Sequence, residues 1–90
     1  MNLPNTSILM GGDCTEVTFY STKIMWWDDM TLTLNSGGHR TPTTKKRINL
    51  LIQEYNLGGY KVIQRDRTWL VEMDDFGRTI PFTDGMTLKI

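Results

Sequence analysis

Apolar and polar residues alternate from position 16 onward, with Val17 and Phe19 on one face and Thr18 and Tyr20 on the other. A period of two marks a half-buried strand. Residues 23–27 continue extended, and Met30, Leu32 and Leu34 then alternate again, all three expected to face inward. Asp28-Asp29 between the two runs supplies turn chemistry, so they read as a hairpin. Trp26 and Trp27 are neighbours on one strand and must point to opposite faces, which leaves one of them outside the main core. Asn35-Ser36-Gly37-Gly38 ends the hairpin, because glycine takes positive φ without steric cost.

The period then changes. Ile48, Leu51, Ile52 and Tyr55 recur at i, i+3, i+4 and i+7, one apolar helical stripe, with Lys45, Lys46, Asn49, Gln53 and Glu54 largely off it. Thr43 or Thr44 can cap the first turn, Pro42 suits its start, and Gly58-Gly59 closes the end, so the spacing predicts a helix over 44–56. Residues 60–64 and 68–73 form a second hairpin across 65–67, and 74–77 reads as a loop. Residues 79–82 are extended at a sheet edge, since Pro81 cannot donate to a ladder. After a turn at 83–85, residues 86–90 alternate as a last strand. The fold class is α+β, a small antiparallel sheet in the order β-β-β-α-β-β-β packed against one helix. Residues 1–90 make a single domain, with 1–7 a flexible opening.

Composition narrows the class. The chain has 90 residues, 39% apolar and 22% charged, which is ordinary for a globular domain and too apolar for disorder. No apolar run approaches the length of a membrane span or of a secretory signal, so no membrane association is expected. Cys14 is the single cysteine, which excludes an internal disulfide and a CxxC zinc site. The net charge is zero but segregated. Residues 40–67 hold Arg40, Lys45, Lys46, Arg47, Lys61, Arg65 and Arg67 against only Glu54 and Asp66, while both flanks are acidic. Such blocks can polarise the surface of a neutral protein, unless folding interleaves them.

The richest stretch runs from Ser36 to Arg47. A glycine-bearing loop enters a helix whose first turn carries hydroxyls and three consecutive cations. Helix N-termini favour negative charge, so cations there carry a small penalty. Arg40, Thr41, Thr43, Thr44, Lys45, Lys46 and Arg47 are therefore a candidate contact for an anion or an acidic partner. The alternative is a solvated surface whose long stems lie over the core. Trp26, Trp27, Arg65 and Arg67 are a further candidate interface, for a protein or for stacked bases. Cys14 and His39 are the one thiol and the one imidazole, which leaves a Cys/His hydrolase as a third reading. The doublets Asp28-Asp29 and Asp74-Asp75 fall in turns, where aspartate bonds nearby backbone N–H groups. No metal site and no cofactor are expected from them.

Val17-Thr18-Phe19-Tyr20-Ser21, then Thr43-Thr44-Lys45-Lys46-Arg47-Ile48-Asn49, then the strands at Tyr60-Lys61-Val62 and Trp69-Leu70-Val71, resemble small proteins of tailed bacteriophages. These share strands around a short helix opened by Thr-Thr and followed by Ile-Asn, with Arg47 here where a histidine is often found. The resemblance covers roughly residues 16–73 and carries over no catalytic residue. It implies a phage origin and a setting in the host cytoplasm during infection. Small phage proteins of this size are commonly host-directed binders, inhibitors of bacterial defence systems among them. The expectation is a non-enzymatic accessory protein that binds a host or phage protein, with homo-oligomers compatible. The alternative is a nucleic-acid-binding module that uses the 40–67 basic region.

Overall fold

The computed structural model describes residues 3–73 and 77–90. Met1, Asn2, Asp74, Asp75 and Phe76 lie outside the described residues, and with them most of the expected loop at 74–77. The elements run β1 (Thr6–Gly11), β2 (Cys14–Phe19), β3 (Thr22–Trp27), β4 (Thr31–Leu34), α1 (Pro42–Glu54), β5 (Lys61–Arg65), β6 (Thr68–Glu72), β7 (Thr79–Pro81) and β8 (Met86–Lys89). The α+β class stands, but among the described residues eight strands rather than six flank the helix, four on each side in sequence, and they divide into two antiparallel sheets. The larger has the order β1-β2-β3-β4-β8 and the smaller β5-β6-β7.

Three local expectations change. Residues 6 and 7, read as part of a flexible opening, begin β1, which pairs with β2 along its whole length from Thr6↔Phe19 to Gly11↔Cys14. Met30 does not face inward. It sits in the β3–β4 turn, 73% exposed, while Leu32 and Leu34 are fully buried. The helix begins two residues earlier than its period suggests, because Thr41 is the cap: its side chain accepts from the Thr44 N–H and Pro42 takes the first turn. Its stripe is as expected, with Ile48, Leu51 and Ile52 buried and Tyr55 half-buried.

A bulge in β3 decides the two tryptophans. Val17 pairs with Met25 and Thr18 with Lys23, so Ile24 is an extra residue in the ladder. Ile24 and Met25 are consequently both buried, and the alternation changes phase. Trp27 turns to the core side, where its ring lies 5.1 Å from that of Tyr55. Trp26 takes the outer face, where the Lys23 ammonium sits 4.8 Å from its ring and also pairs with Glu16 at 3.2 Å.

One core serves both sheets and the helix. It joins Val17, Met25, Leu32 and Leu34 of the large sheet to Ile48, Leu51 and Ile52 of α1 and to Val62, Trp69 and Val71 of the small one. The helix is fixed to the small sheet by Asn49. Its Nδ2 donates to the Val62 carbonyl at 2.9 Å, and its Oδ1 accepts from the Val62 N–H at 2.7 Å. The side-chain amide thus does for the outer edge of β5 what a neighbouring strand would do.

Leu51→Ala should cost about 2–5 kcal/mol as a core truncation. Asn49→Ala removes both partners of a half-buried backbone site and should cost about 1–3 kcal/mol. Urea denaturation reads both as lowered midpoints. An unchanged midpoint for Asn49→Ala would show that the β5 edge is held by packing alone.

Candidate binding groove at the helix N-terminus

Thr41 and Thr44 organise the start of α1. The Thr44 N–H donates to Thr41 Oγ1 at 3.2 Å, the two hydroxyls lie 3.1 Å apart, and the Lys45 N–H donates to the Thr41 carbonyl. Thr44 is buried and Thr43 exposed. Beside this turn lies a groove of about 310 Å³, lined by Phe19, Tyr20, Ser21, Thr22, Ile24, Ser36, His39, Thr41 and Thr44. Phe19, Ile24, Ser36 and Thr44 are its buried lining, and Tyr20, Ser21, His39 and Thr41 are its exposed lining, with Thr22 half-buried between them.

Two devices bring these segments together. Asp84, in the turn before β8, accepts from the Ser36 N–H and from Ser36 Oγ, each at 2.7 Å, and Ser36 Oγ accepts in turn from the Gly38 N–H. This clamp fixes the loop between β4 and α1. Gly37, at φ 63°, lets that loop approach Thr22 so closely that a Cβ would lie 2.5 Å from Thr22 Cγ2. Burial pushes the Asp84 carboxyl up, but the Ser36 hydrogen bonds and the Arg40 charge outweigh it and leave the group below the ordinary carboxylate value.

The three consecutive cations do not converge. Successive helical residues project about 100° apart, so positions 45 to 47 fan around the axis. Arg47 leans over Phe19, 5.2 Å from its ring, and its guanidinium donates to the Pro4 carbonyl at 3.5 Å. Arg40 lies over Phe82 at 5.1 Å and Trp69 at 5.9 Å and donates to the Phe82 carbonyl. Lys45 is half-buried and Lys46 exposed. The two arginines thus sit against rings and carbonyls of the fold, and only the threonines Thr41 and Thr44 line the groove. Arg65 and Arg67 are exposed at the β5–β6 hairpin, where Asp66 and Arg67 take φ 51° and 65° in a two-residue turn.

Tyr20, Ser21 and Thr22 are the groove residues that sequence reasoning passed over. Their only local signal is the tight link between Phe19 and Thr22, which pair directly across a two-residue turn. Tyr20 occupies that turn at φ 56°, a region a bulky side chain rarely adopts, with its ring 69% exposed. A second cavity of about 360 Å³ lies at the other end of α1, lined by Asn49, Gln53, Asn56, Tyr60 and Lys61 among others. It carries no comparable exposed aromatic.

Cys14 and His39 are not brought together. His39 lines the groove with Phe19 at one end of β2, and Cys14 begins the other end, roughly 17 Å away at about 3.4 Å per residue. Asp28 is spent on its turn. Its Oδ1 accepts from the Met30 and Thr31 N–H groups, each at 2.8 Å, and these bonds hold its carboxyl below the usual range. Among the described residues no group of three or more His, Cys, Asp or Glu side chains is placed to hold a metal, and no helix is long and apolar enough to cross a membrane.

A protein-family model described as Kyanoviridae Gp96 protein matches residues 1–89. No curated protein and no solved structure matches the chain.

The Asp84 clamp has a pH signature. Its carboxyl is lower in the folded chain than in the unfolded one, so the stability it supplies is present above pH ~3.8 and is lost as pH falls through the folded value. Asp84→Asn should flatten part of the acid limb of a urea-midpoint profile, leaving the share that belongs to Asp28. An acid limb identical to that of the unmodified chain would remove Asp84 from the clamp.

Proposed function

The chain belongs to the Kyanoviridae Gp96 family of phage proteins, and on that premise we propose that it is a non-enzymatic accessory protein that binds another protein, of the host or of the phage, in the host cytoplasm. A bacterial defence enzyme is one target of this kind. The observation that carries the reading is the groove at the start of α1 with Tyr20 in its exposed lining. Tyr20, 69% exposed and held at positive φ, costs backbone strain, and its ring meets that of Phe19 in a T-shaped contact with centroids 4.8 Å apart. Local rules broken in this way concentrate at functional sites. Tyrosine is also an interface residue by chemistry, an apolar ring with a polar tip. A groove lined by Phe19, Ile24 and neutral hydroxyls, with no lysine or arginine in its lining, suits an apolar anchor from a partner protein better than a row of phosphates.

Affinity capture from infected-host lysate, with and without nuclease, tests the reading. A protein partner should survive nuclease, and its affinity should fall gently with salt rather than along the steep slope of phosphate neutralisation. Tyr20→Gly should weaken that binding by about tenfold or more, roughly 1.4 kcal/mol, while relief of positive φ leaves stability unchanged or higher. The Lys45→Glu, Lys46→Glu double variant should bind nearly as the unmodified chain does. Loss of binding in the double variant alone would move the contact to the helix cations. Release of the partner by nuclease would favour nucleic acid and the 40–67 region.

A further inference from the structure

Two sheets expose four edges, and three of them are blunted. The side-chain amide of Asn49 occupies the Val62 N–H and carbonyl on β5. β7 is three residues long and carries Pro81, which has no N–H. β8 is four residues long, and the Lys89 carbonyl on it is taken by the Tyr60 hydroxyl. Among the described residues, β1 has no such protection. It is six residues long, its one sheet neighbour is β2, and its sequence Thr-Ser-Ile-Leu-Met-Gly holds no charge and no proline. Leu9 is 65% exposed and Met10 63%. A long, uncharged, apolar edge strand is a template for another strand.

The direction of its free groups follows from the ladder. Gly11 and Cys14 close a two-residue turn and bond to each other, so by antiparallel alternation Leu9 and Ser7 also bond to β2. The Tyr20 N–H donating to the Asn5 carbonyl fits the same parity. Ile8 and Met10 therefore turn their N–H and carbonyl groups outward.

We infer that β1 pairs antiparallel with β1 of a second copy of this chain, about a two-fold axis at Leu9, to make one continuous ten-stranded sheet. In this register Ile8 of each copy bonds with Met10 of the other, and Leu9 faces Leu9 in the closely spaced, non-bonded position. Every apolar residue then meets an apolar residue. In an alternative register centred on Ile8, Leu9 would face Ser7 and Met10 would face Thr6. A second copy is the occupant this strand fits because symmetric pairing sets a strand's charges against their own copies, and β1 has none. The zero net charge of the chain adds no long-range repulsion.

Sedimentation equilibrium over a concentration series up to about 100 μM should show association toward twice the 10.4 kDa chain mass. Leu9→Lys sets two ammonium groups against each other across the axis and should abolish dimers. At protein concentrations too low for association it leaves the urea midpoint nearly unchanged, since Leu9 is exposed in the single chain. The register is read by cross-linking in a Cys14→Ser background. With a mild oxidant, Leu9→Cys should give a disulfide-linked dimer, because facing Cα atoms in that position lie about 4.5 Å apart. Ser7→Cys, which faces Gly11 of the other copy, should not. A monomer at every concentration overturns the inference, as does a dimer indifferent to Leu9→Lys. A monomer that loses a captured partner upon Leu9→Lys would assign the edge to that partner's strand instead.

Discussion

The amide of Asn49, bonded at both ends to the backbone of Val62, is where the helix and the small sheet become one unit. A three-stranded sheet with strands of five, five and three residues is too small to bury a face of its own and needs a helix against it. That helix also has to cover the five-stranded sheet. Ile48, Leu51 and Ile52 accordingly sit in one continuous core with residues from both sheets. Asn49 adjoins that stripe and converts the helix from a lid into a substitute strand. With the helix so fixed, the chain can return through β7 to β8, which closes on β4 and carries the Asp84 turn to Ser36.

Elements whose two faces meet different surroundings were legible in the sequence. The strand at 17–19 and the helical stripe 48–55 bury one side and expose the other, and periodicity reports this contrast. Where the contrast is absent the pattern fails. β1 is exposed on both faces near Leu9 and Met10, so its apolar residues run together and resemble no strand period. The bulge at Ile24 buries two successive residues, which no period of two anticipates. Met30 continues an apparent alternation into a turn that Asp28 defines by taking both following N–H groups. Asn49 reads as a polar residue off the stripe until β5, thirteen positions later, is placed beside it.

The candidate groove was half legible for the same reason. Thr41, Thr44 and His39 lie in the stretch that composition singled out, and they do line the groove. The cations of that stretch separate because helical geometry fans them out and because Arg40 and Arg47 have aromatic rings to lie on. Guanidinium stacking on Phe82 and Phe19 is tertiary, so nothing in a run of three cations foretells it. The other wall of the groove comes from a turn some twenty residues earlier. Tyr20 carries the clearest local irregularity in it, a positive φ, and backbone angles are not written in residue types.

Groove and free edge share one strand end. The Asn5 carbonyl at the start of β1 accepts from the N–H of Tyr20, so the exposed aromatic of the groove is tied to the segment that leads into the edge. Pairing about Leu9 brings the Gly12-Asp13 turn of the other copy beside Thr6, while Phe19, Tyr20, Ser21 and Thr22 of the groove lie on the far side of β1, at the β2–β3 turn. The two strands run in opposite directions, so a paired molecule presents its two grooves at opposite ends of the shared β1 ladder. A partner that is itself repeated or symmetric could then engage both, and the second contact would form at the high effective concentration set by the first. Modest affinity at one groove would be sufficient in that arrangement, which is consistent with a lining of neutral hydroxyls and apolar side chains without lysine or arginine.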